Sequence, residues 1–308
     1  MTIQQLHYII SVADYQHFGQ AAKACDITQS TLSVMIQKLE SEFDVIIFDR
    51  KKQPIEPTPL GQKLIDQARV ILYHTSQFEE LVKDEKNKEC GNIRLGIIPT
   101  VAPYILPDLF KQLKTEVPQL SLEVSEMTTA RLLHKLERAE IDMGLLATPL
   151  NHPDLLEIPL YYEKFYAYVS PKHHLYKEES ISSVNFTDGE MWVLKEGHCL
   201  RDQVLNFCTR SSEYLTMYEA GSIDTLIRIV DTNGGYTIIP ELHIHLFNEE
   251  QKRHIRPLHN PAHVREISLI VRSDYVKERL LNVLVEQVKK IIPPAMIDER
   301  LKKFAVRL

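Results

Sequence analysis

Cysteine is scarce in this chain. Cys25, Cys90, Cys199 and Cys208 are the only four among 308 residues, too few for a disulfide framework at this length. In a reducing compartment paired thiols are more often catalytic, metal-binding or redox-sensing. No apolar run approaches the length of about 18 residues that a membrane-spanning helix needs. No charged-then-apolar leader opens the chain at Met1-Thr2-Ile3-Gln4. Both absences point to a soluble cytoplasmic protein. Internal repeats and low-complexity tracts are lacking too. The net charge of −6 excludes a whole-chain attraction to nucleic acid or membrane.

What is present is a chain with 44% hydrophobic residues, enough for two or three cores. Its first 58 residues read as short helices. Leu6, Ile9, Ile10 and Ala13 form one apolar stripe at helical spacing, and Phe18, Ala21, Ala22 and Cys25 form a second. Thr28 is placed to cap a third helix whose buried face is Leu32, Ile36, Leu39 and Phe43. Val45-Ile46-Ile47-Phe48 and the basic triplet Arg50-Lys51-Lys52 before Pro54 read as a short hairpin, or wing. From Pro59 to Lys88 one long amphipathic helix is expected, of the kind that pairs with a copy of itself. The charged stretch Lys83 to Glu89 ahead of Gly91 marks a domain boundary. Beyond it, short strands alternate with helices: strands at 93–97, 120–124, 143–146, 165–169 and 267–271, and helices at 103–115, 130–139, 223–231 and 278–291. That alternation predicts an α/β fold with a largely parallel sheet.

The N-terminal helices suit a helix-turn-helix, whose second helix enters the major groove. Its exposed candidates are Gln29, Ser30, Thr31, Ser33 and Gln37, with Lys38 nearer the backbone, while Arg50, Lys51 and Lys52 are placed to neutralise phosphates. An ordinary three-helix packing module fits the pattern equally well. Over residues 1–58 five basic side chains (Lys23, Lys38, Arg50, Lys51, Lys52) face seven acidic ones (Asp14, Asp26, Glu40, Glu42, Asp44, Asp49, Glu56). DNA binding would therefore rest on local clustering and dimerisation.

The pair Cys199 and Cys208 stands apart. At about 1.5 Å and 100° per residue, positions nine apart in a helix sit roughly 13 Å apart on opposite faces, whereas a disulfide needs Cα atoms within about 7 Å. Bridging them would unwind the helix. Leu200, Val204, Phe207 and Cys208 share one apolar stripe, which places Cys208 in the interior. Cys199 begins the helix beside Arg201, where the helix N-terminus and a cation lower a thiol pKa. Peroxide would convert such a thiolate to a sulfenic acid that a second thiol captures. Two buried core cysteines remain an alternative at this level. A zinc site lacks a second Cys/His pair, and no metal or cofactor is expected.

The runs Phe18-Gly19-Gln20-Ala21-Ala22, Gln29 to Glu40, Phe48-Asp49-Arg50 and Thr58-Pro59-Leu60-Gly61 resemble the LysR-type transcriptional regulators. Thr31 departs from that pattern, where many members carry proline. Gly197-His198-Cys199-Leu200-Arg201-Asp202-Gln203 ending in Phe207-Cys208, with Ile98 to Tyr104 and Arg265 to Leu269, is similar to the hydrogen-peroxide sensors of that superfamily. The resemblance implies an all-α winged helix-turn-helix (1–58), a linker and dimerisation helix with hinge (59–90), and a redox-sensing α/β regulatory domain (91–308). That domain would have two Rossmann-like lobes, similar to periplasmic solute-binding proteins, at about 91–163 with 267–308 and about 164–266.

It further implies a non-enzymatic activator of oxidative-stress genes, with Cys199 as the attacking thiol and Cys208 as the resolving one in an intramolecular disulfide. Thr100, Thr129, His198, Asp202 and Arg265 would form the peroxide pocket. Each also has an ordinary reading: helix caps for the threonines, a loop residue for His198, a surface charge for Arg265. The implied partners are an operator in double-stranded DNA, RNA polymerase, hydrogen peroxide as signal, and further copies of the chain, as dimers through the linker helices and as a tetramer. A regulator answering to a small metabolite between the lobes, or a thiol peroxidase, would use the same residues otherwise.

Overall fold

A computed structural model describes residues 1–85, 91–150, 152–182, 186, 191–207, 219–259 and 263–297, with backbone alone for 79–85 and 207. The chain divides into two compact units, one of Met1–Lys88 with Glu137–Glu140 and the other of Glu89–Leu136 with Ile141–Leu308. No described helix is long and apolar enough to cross a membrane.

In the first unit, α1 (Ile3–Tyr15) starts at a capping box in which Thr2 and Gln5 satisfy each other's peptide N–H groups. Helix α2 (Phe18–Ala24) follows, capped by His17. Thr28 caps α3 (Gln29–Phe43) by accepting from the Thr31 N–H at 3.2 Å. Leu6, Ile9, Val12, Ala21, Ala22, Leu32, Ile36 and Leu39 make the core. Phe43, expected on the buried face, is half exposed, because the chain turns away at Asp44 in the left-handed conformation.

The wing is shorter than its β-branched residues suggest. Its strands are β1 (Phe48–Asp49) and β2 (Glu56–Pro57), paired antiparallel. Val45–Ile47 is not a strand; the Ile47 and Phe48 N–H groups donate instead to the Glu40 carboxylate at 2.8 and 3.3 Å. Helix α4 (Pro59–Glu85) begins against this turn. A Cβ on Gly61 would lie 2.0 Å from the Ile47 carbonyl oxygen, so only glycine allows that approach.

The second unit runs β3 (Gly91–Ile97), α5 (Ala102–Glu116), β4 (Leu120–Glu126), α6 (Thr129–Glu137), β5 (Met143–Thr148) and β6 (Leu155–Val169). It continues through β7 (Ile181–Ser182), β8 (Met191–Leu194), α7 (Cys199–Phe207), β9 (Glu219–Ala220), α8 (Ile223–Asn233) and β10 (Tyr236–Pro240). A 3-10 segment (Glu241–Leu246), α9 (Glu249–Lys252), β11 (Ile255–His259), β12 (Val264–Arg272) and α10 (Glu278–Ile291) complete it.

The strand order is β4-β3-β5-β12-β6-β10-β8-β9, with β11 beside β6 and β7. The sheet is mixed rather than largely parallel. Within each lobe β3, β4 and β5, and β8, β9 and β10, lie parallel, as the alternation of strands and helices requires. The strands that join the lobes run antiparallel. Strand β6 pairs with β12 from Leu155 to Lys164, then with β10 from Phe165 to Val169. One strand thus belongs to both lobes, and each lobe keeps its own apolar core.

Candidate functional site

Helix α7 begins where the two cores meet. Cys199 packs into the core built on β3, β5 and β12, whereas Leu200 and Val204 pack into the core built on β8 and β10. These three side chains are 3%, 2% and 4% exposed. Cys199 is a free thiol, and Cys208, like Cys90 and the Phe207 side chain, lies outside the described residues. Cys25, placed by the sequence on the apolar stripe of the second helix, is a half-buried residue at the end of α2.

Arg265 on β12 is fully buried and supplies the charge of the site. Its Nε donates to Glu163 Oε1 at 2.6 Å, Nη1 to Thr100 Oγ1 at 3.0 Å and Nη2 to the Thr100 carbonyl at 2.8 Å. Glu163 also accepts from the Leu242 N–H at 3.3 Å. A buried guanidinium needs such a partner, because an unpaired charge in the interior costs several kcal/mol, at least about 3. Burial pushes Glu163 up against the pull of Arg265. Burial works against the charge of Arg265, but Glu163 holds its pKa above the ordinary value.

The Cys199 thiol is pushed up by burial and drawn down in turn by Arg265, by the Thr129 hydroxyl and by the Ala147 peptide N–H; Asp202 adds a small upward push. This corrects the expectation of a lowered thiol pKa. The lobe I core desolvates Cys199, and the cation facing it is Arg265 from 66 residues downstream, rather than Arg201. Among the described residues Thr129 Oγ1 otherwise has no partner of hydrogen-bonding geometry, so its hydroxyl is left for the thiol or for a small molecule beside it. Thr100 and Thr129 cap no helix, and Arg265 is not a surface charge.

His198 is buried, its ring lowered by burial and by Lys195, and its Nδ1 has no partner among the described residues. A neutral imidazole with a free ring nitrogen can hydrogen-bond a small polar guest. Asp202 is exposed in the first turn of α7. Thr100, Thr129, Cys199 and Arg265 are therefore one constellation, with Asp202 within electrostatic reach and His198 adjacent in the chain.

Two polar groups escaped the sequence reading. Glu163 is an acid in a mostly apolar strand, and Gln203 is fully buried with both amide atoms unpartnered among the described residues. Gln203 sits one turn beyond Cys199, and its sequence signal was its place in the Gly197-to-Gln203 motif, where no role was assigned to it. Among the described residues no group of three or more His, Cys, Asp or Glu is placed to hold a metal.

On α3, Gln29, Ser30, Thr31, Gln37 and Lys38 are exposed and Ser33 half-buried. The hydroxyls of Ser30 and Thr31 are engaged with Thr28 Oγ1 at 2.9 and 2.8 Å. Arg50 is committed within the unit: Nη2 donates to Glu40 at 2.9 Å, Nη1 to Ser33 at 3.3 Å, and its guanidinium lies over the Phe18 ring. Lys52 pairs with Glu56 at 2.5 Å. Lys51 is exposed, and only its peptide N–H is bonded, to Asp49.

Residues 3–62 match the bacterial regulatory helix-turn-helix protein of the lysR family, and residues 86–291 match the LysR substrate binding domain. The chain is 34% identical to the hydrogen peroxide-inducible genes activator of Haemophilus influenzae, over 95% of this chain and 99% of that one. The chain belongs to the LysR family, in its OxyR branch. A full-length Pseudomonas aeruginosa OxyR with a cysteine-to-aspartate substitution superposes with a TM-score of 0.80 at 33% identity, covering 94% of this chain and 95% of that one. A cysteine-to-serine mutant of Corynebacterium glutamicum OxyR with hydrogen peroxide bound gives a TM-score of 0.63 at 27% identity, covering 94% and 92%. The family accounts for the winged helix-turn-helix, the long α4 and the two-lobed sheet together.

Proposed function

We propose that this LysR-family regulator binds operator DNA and activates oxidative-stress genes when hydrogen peroxide oxidises Cys199. The observation that carries the reading is a free, buried cysteine facing Arg265, Thr129 and the Ala147 N–H. In this account residues 1–58 read DNA, 59–90 join two copies, and 91–308 sense peroxide. Gln29, Gln37 and Lys38 face the groove and Lys51 the phosphates, while Arg50 braces the wing. Dimers pair into a tetramer in the cytoplasm and engage RNA polymerase.

The chemistry needs no cofactor. Cys199 loses its proton, and the thiolate attacks one peroxide oxygen. The S–O bond forms as the O–O bond breaks, and the departing hydroxide takes up the proton as water. Preorganised donors stabilise charge where it develops. Here these are the Thr129 hydroxyl, the Ala147 N–H and the Arg265 guanidinium, which Thr100 orients, with His198 and Asp202 bordering the guest. The Cys208 thiol then displaces water from the sulfenic acid, forming the Cys199–Cys208 disulfide.

A helix holds positions nine apart on opposite faces, so closure draws Leu200 and Val204 from their core. Stoichiometric rather than catalytic consumption of peroxide separates this sensor from a thiol peroxidase. The test is a footprint on genomic DNA fragments selected by the reduced protein. Peroxide alters the footprint of wild type and leaves that of Cys199→Ser unchanged. An altered footprint in Cys199→Ser would favour a metabolite-type or other response and overturn the proposal.

A further inference from the structure

The Arg265 guanidinium has two competitors for its charge. One is the Glu163 carboxylate, which takes Nε at 2.6 Å, with both side chains fully buried. The other is the Cys199 sulfur, which interacts electrostatically with the same cation. Glu163 is fixed from two directions, by Arg265 and by the Leu242 N–H at the start of the 3-10 segment. With Glu163 ionised, the pair is neutral before the thiol loses its proton. Ionisation of Cys199 then places a net negative charge in a site sealed from water, where charge is costly.

We propose that Glu163 is a positioning residue for the peroxide reaction: it occupies Arg265 and so restrains how much of Cys199 is thiolate. This inference rests on the peroxide-sensing reading above. The thiolate is the nucleophile, so Glu163 sets the peroxide level at which the regulator responds. Less thiolate at a given pH means slower oxidation and a higher threshold.

Other groups facing the site do not duplicate this role. Asp202 acts on Cys199 with the same sign, but it is exposed and screened by solvent. Tyr161 and Tyr104 face Arg265 and are held neutral, both raised first by burial. Glu241, on the 3-10 segment, acts on Glu163 and lies outside the first contact of Arg265. His243, which bonds Tyr104, is kept neutral by burial. Among the described residues Glu163 is the only carboxylate hydrogen-bonded to Arg265.

The test is titration of cysteine labelled at 13Cβ by NMR in the full-length protein, with the Cys199 signal assigned by its loss in Cys199→Ser. Oxidation of the Cys199 peptide by peroxide across pH is followed in parallel. In wild type the Cys199 midpoint lies above the ordinary thiol value of about 8.5. Glu163→Gln lowers the midpoint by about one pH unit, giving about tenfold more thiolate at a fixed pH below it. Arg265→Met raises the midpoint, and Glu163→Asp restores the wild-type value. A merely structural disturbance would move Glu163→Gln and Arg265→Met the same way.

A midpoint unchanged or raised in Glu163→Gln overturns the inference. So does a wild-type midpoint well below 8.5, which is read without any variant. If the titrations behave as stated but peroxide oxidises Cys199 in neither protein, the peroxide-sensing reading fails. If peroxide oxidises Cys199 but the midpoint does not move, the role of Glu163 alone fails.

Discussion

Replacing Leu200 with alanine weighs the reduced form of α7 against its oxidised form. Leu200 is 2% exposed in the lobe II core, and the residual void beside it and Val204 is only about 10 Å³. Removing a leucine side chain from so tight a site costs about 2–5 kcal/mol. If disulfide closure pulls α7 out of this seat, that cost falls on the reduced protein alone. The dithiol becomes less favoured, and the reduction potential drops. With about 30 mV per 1.4 kcal/mol for two electrons, the expected shift is about 40 to 110 mV towards more negative values. Equilibration in graded thiol–disulfide buffers, with the Cys199–Cys208 peptide quantified by mass spectrometry, measures it. Thermal unfolding gives a second reading: at roughly 2–4 °C per kcal/mol for a unit of this size, reduced Leu200→Ala melts lower while the oxidised form is unchanged. An unaltered potential, with both forms melting lower together, would refute the reasoning, because Leu200 would then stay packed after oxidation.

Three further outcomes follow from the geometry. Gly61→Ala drives a Cβ to 2.0 Å from the Ile47 carbonyl and lowers the stability of the DNA-reading unit by at least about 1–3 kcal/mol, visible in denaturant unfolding. His243 is lowered to about 4, by burial first, with Arg265 adding to it and Asp224 opposing. The unfolded chain therefore takes up a proton that the folded chain refuses. The stability from the neutral ring is complete above about pH 6.5 and is lost as pH falls towards 4, by about 3 kcal/mol in all. His243→Phe flattens that slope in urea titrations at several pH values. On α3, Gln29→Ala costs about 1–3 kcal/mol of base discrimination, whereas Lys51→Ala weakens all sequences alike and reduces the salt slope by about 0.9; binding at graded salt separates them.

The DNA-reading unit was legible because its core residues recur at helical spacing and Thr28 marks a helix start. Phe43 deceived, since an apolar residue at the right spacing says nothing of where the chain turns away. The α/β elements were legible too, but strand direction was not. β6 reads as one short strand at Phe165–Val169, while its first part, Leu155 to Lys164, pairs with β12, at least 100 positions later. The same separation hid the chemistry of Cys199. Its helix position suggested an activated thiol, yet its environment comes from β5, α6 and β12. Glu163 was invisible for a related reason: a buried acid is tolerable only with a buried partner, and Arg265 is 102 residues away.

Mapping of every cysteine after one equivalent of hydrogen peroxide tests the central claim most directly. The account predicts Cys199 crosslinked to Cys208 in the same chain, with Cys25 still a free thiol. Cys199 left reduced while another cysteine is oxidised, or joined to a cysteine other than Cys208, would contradict it.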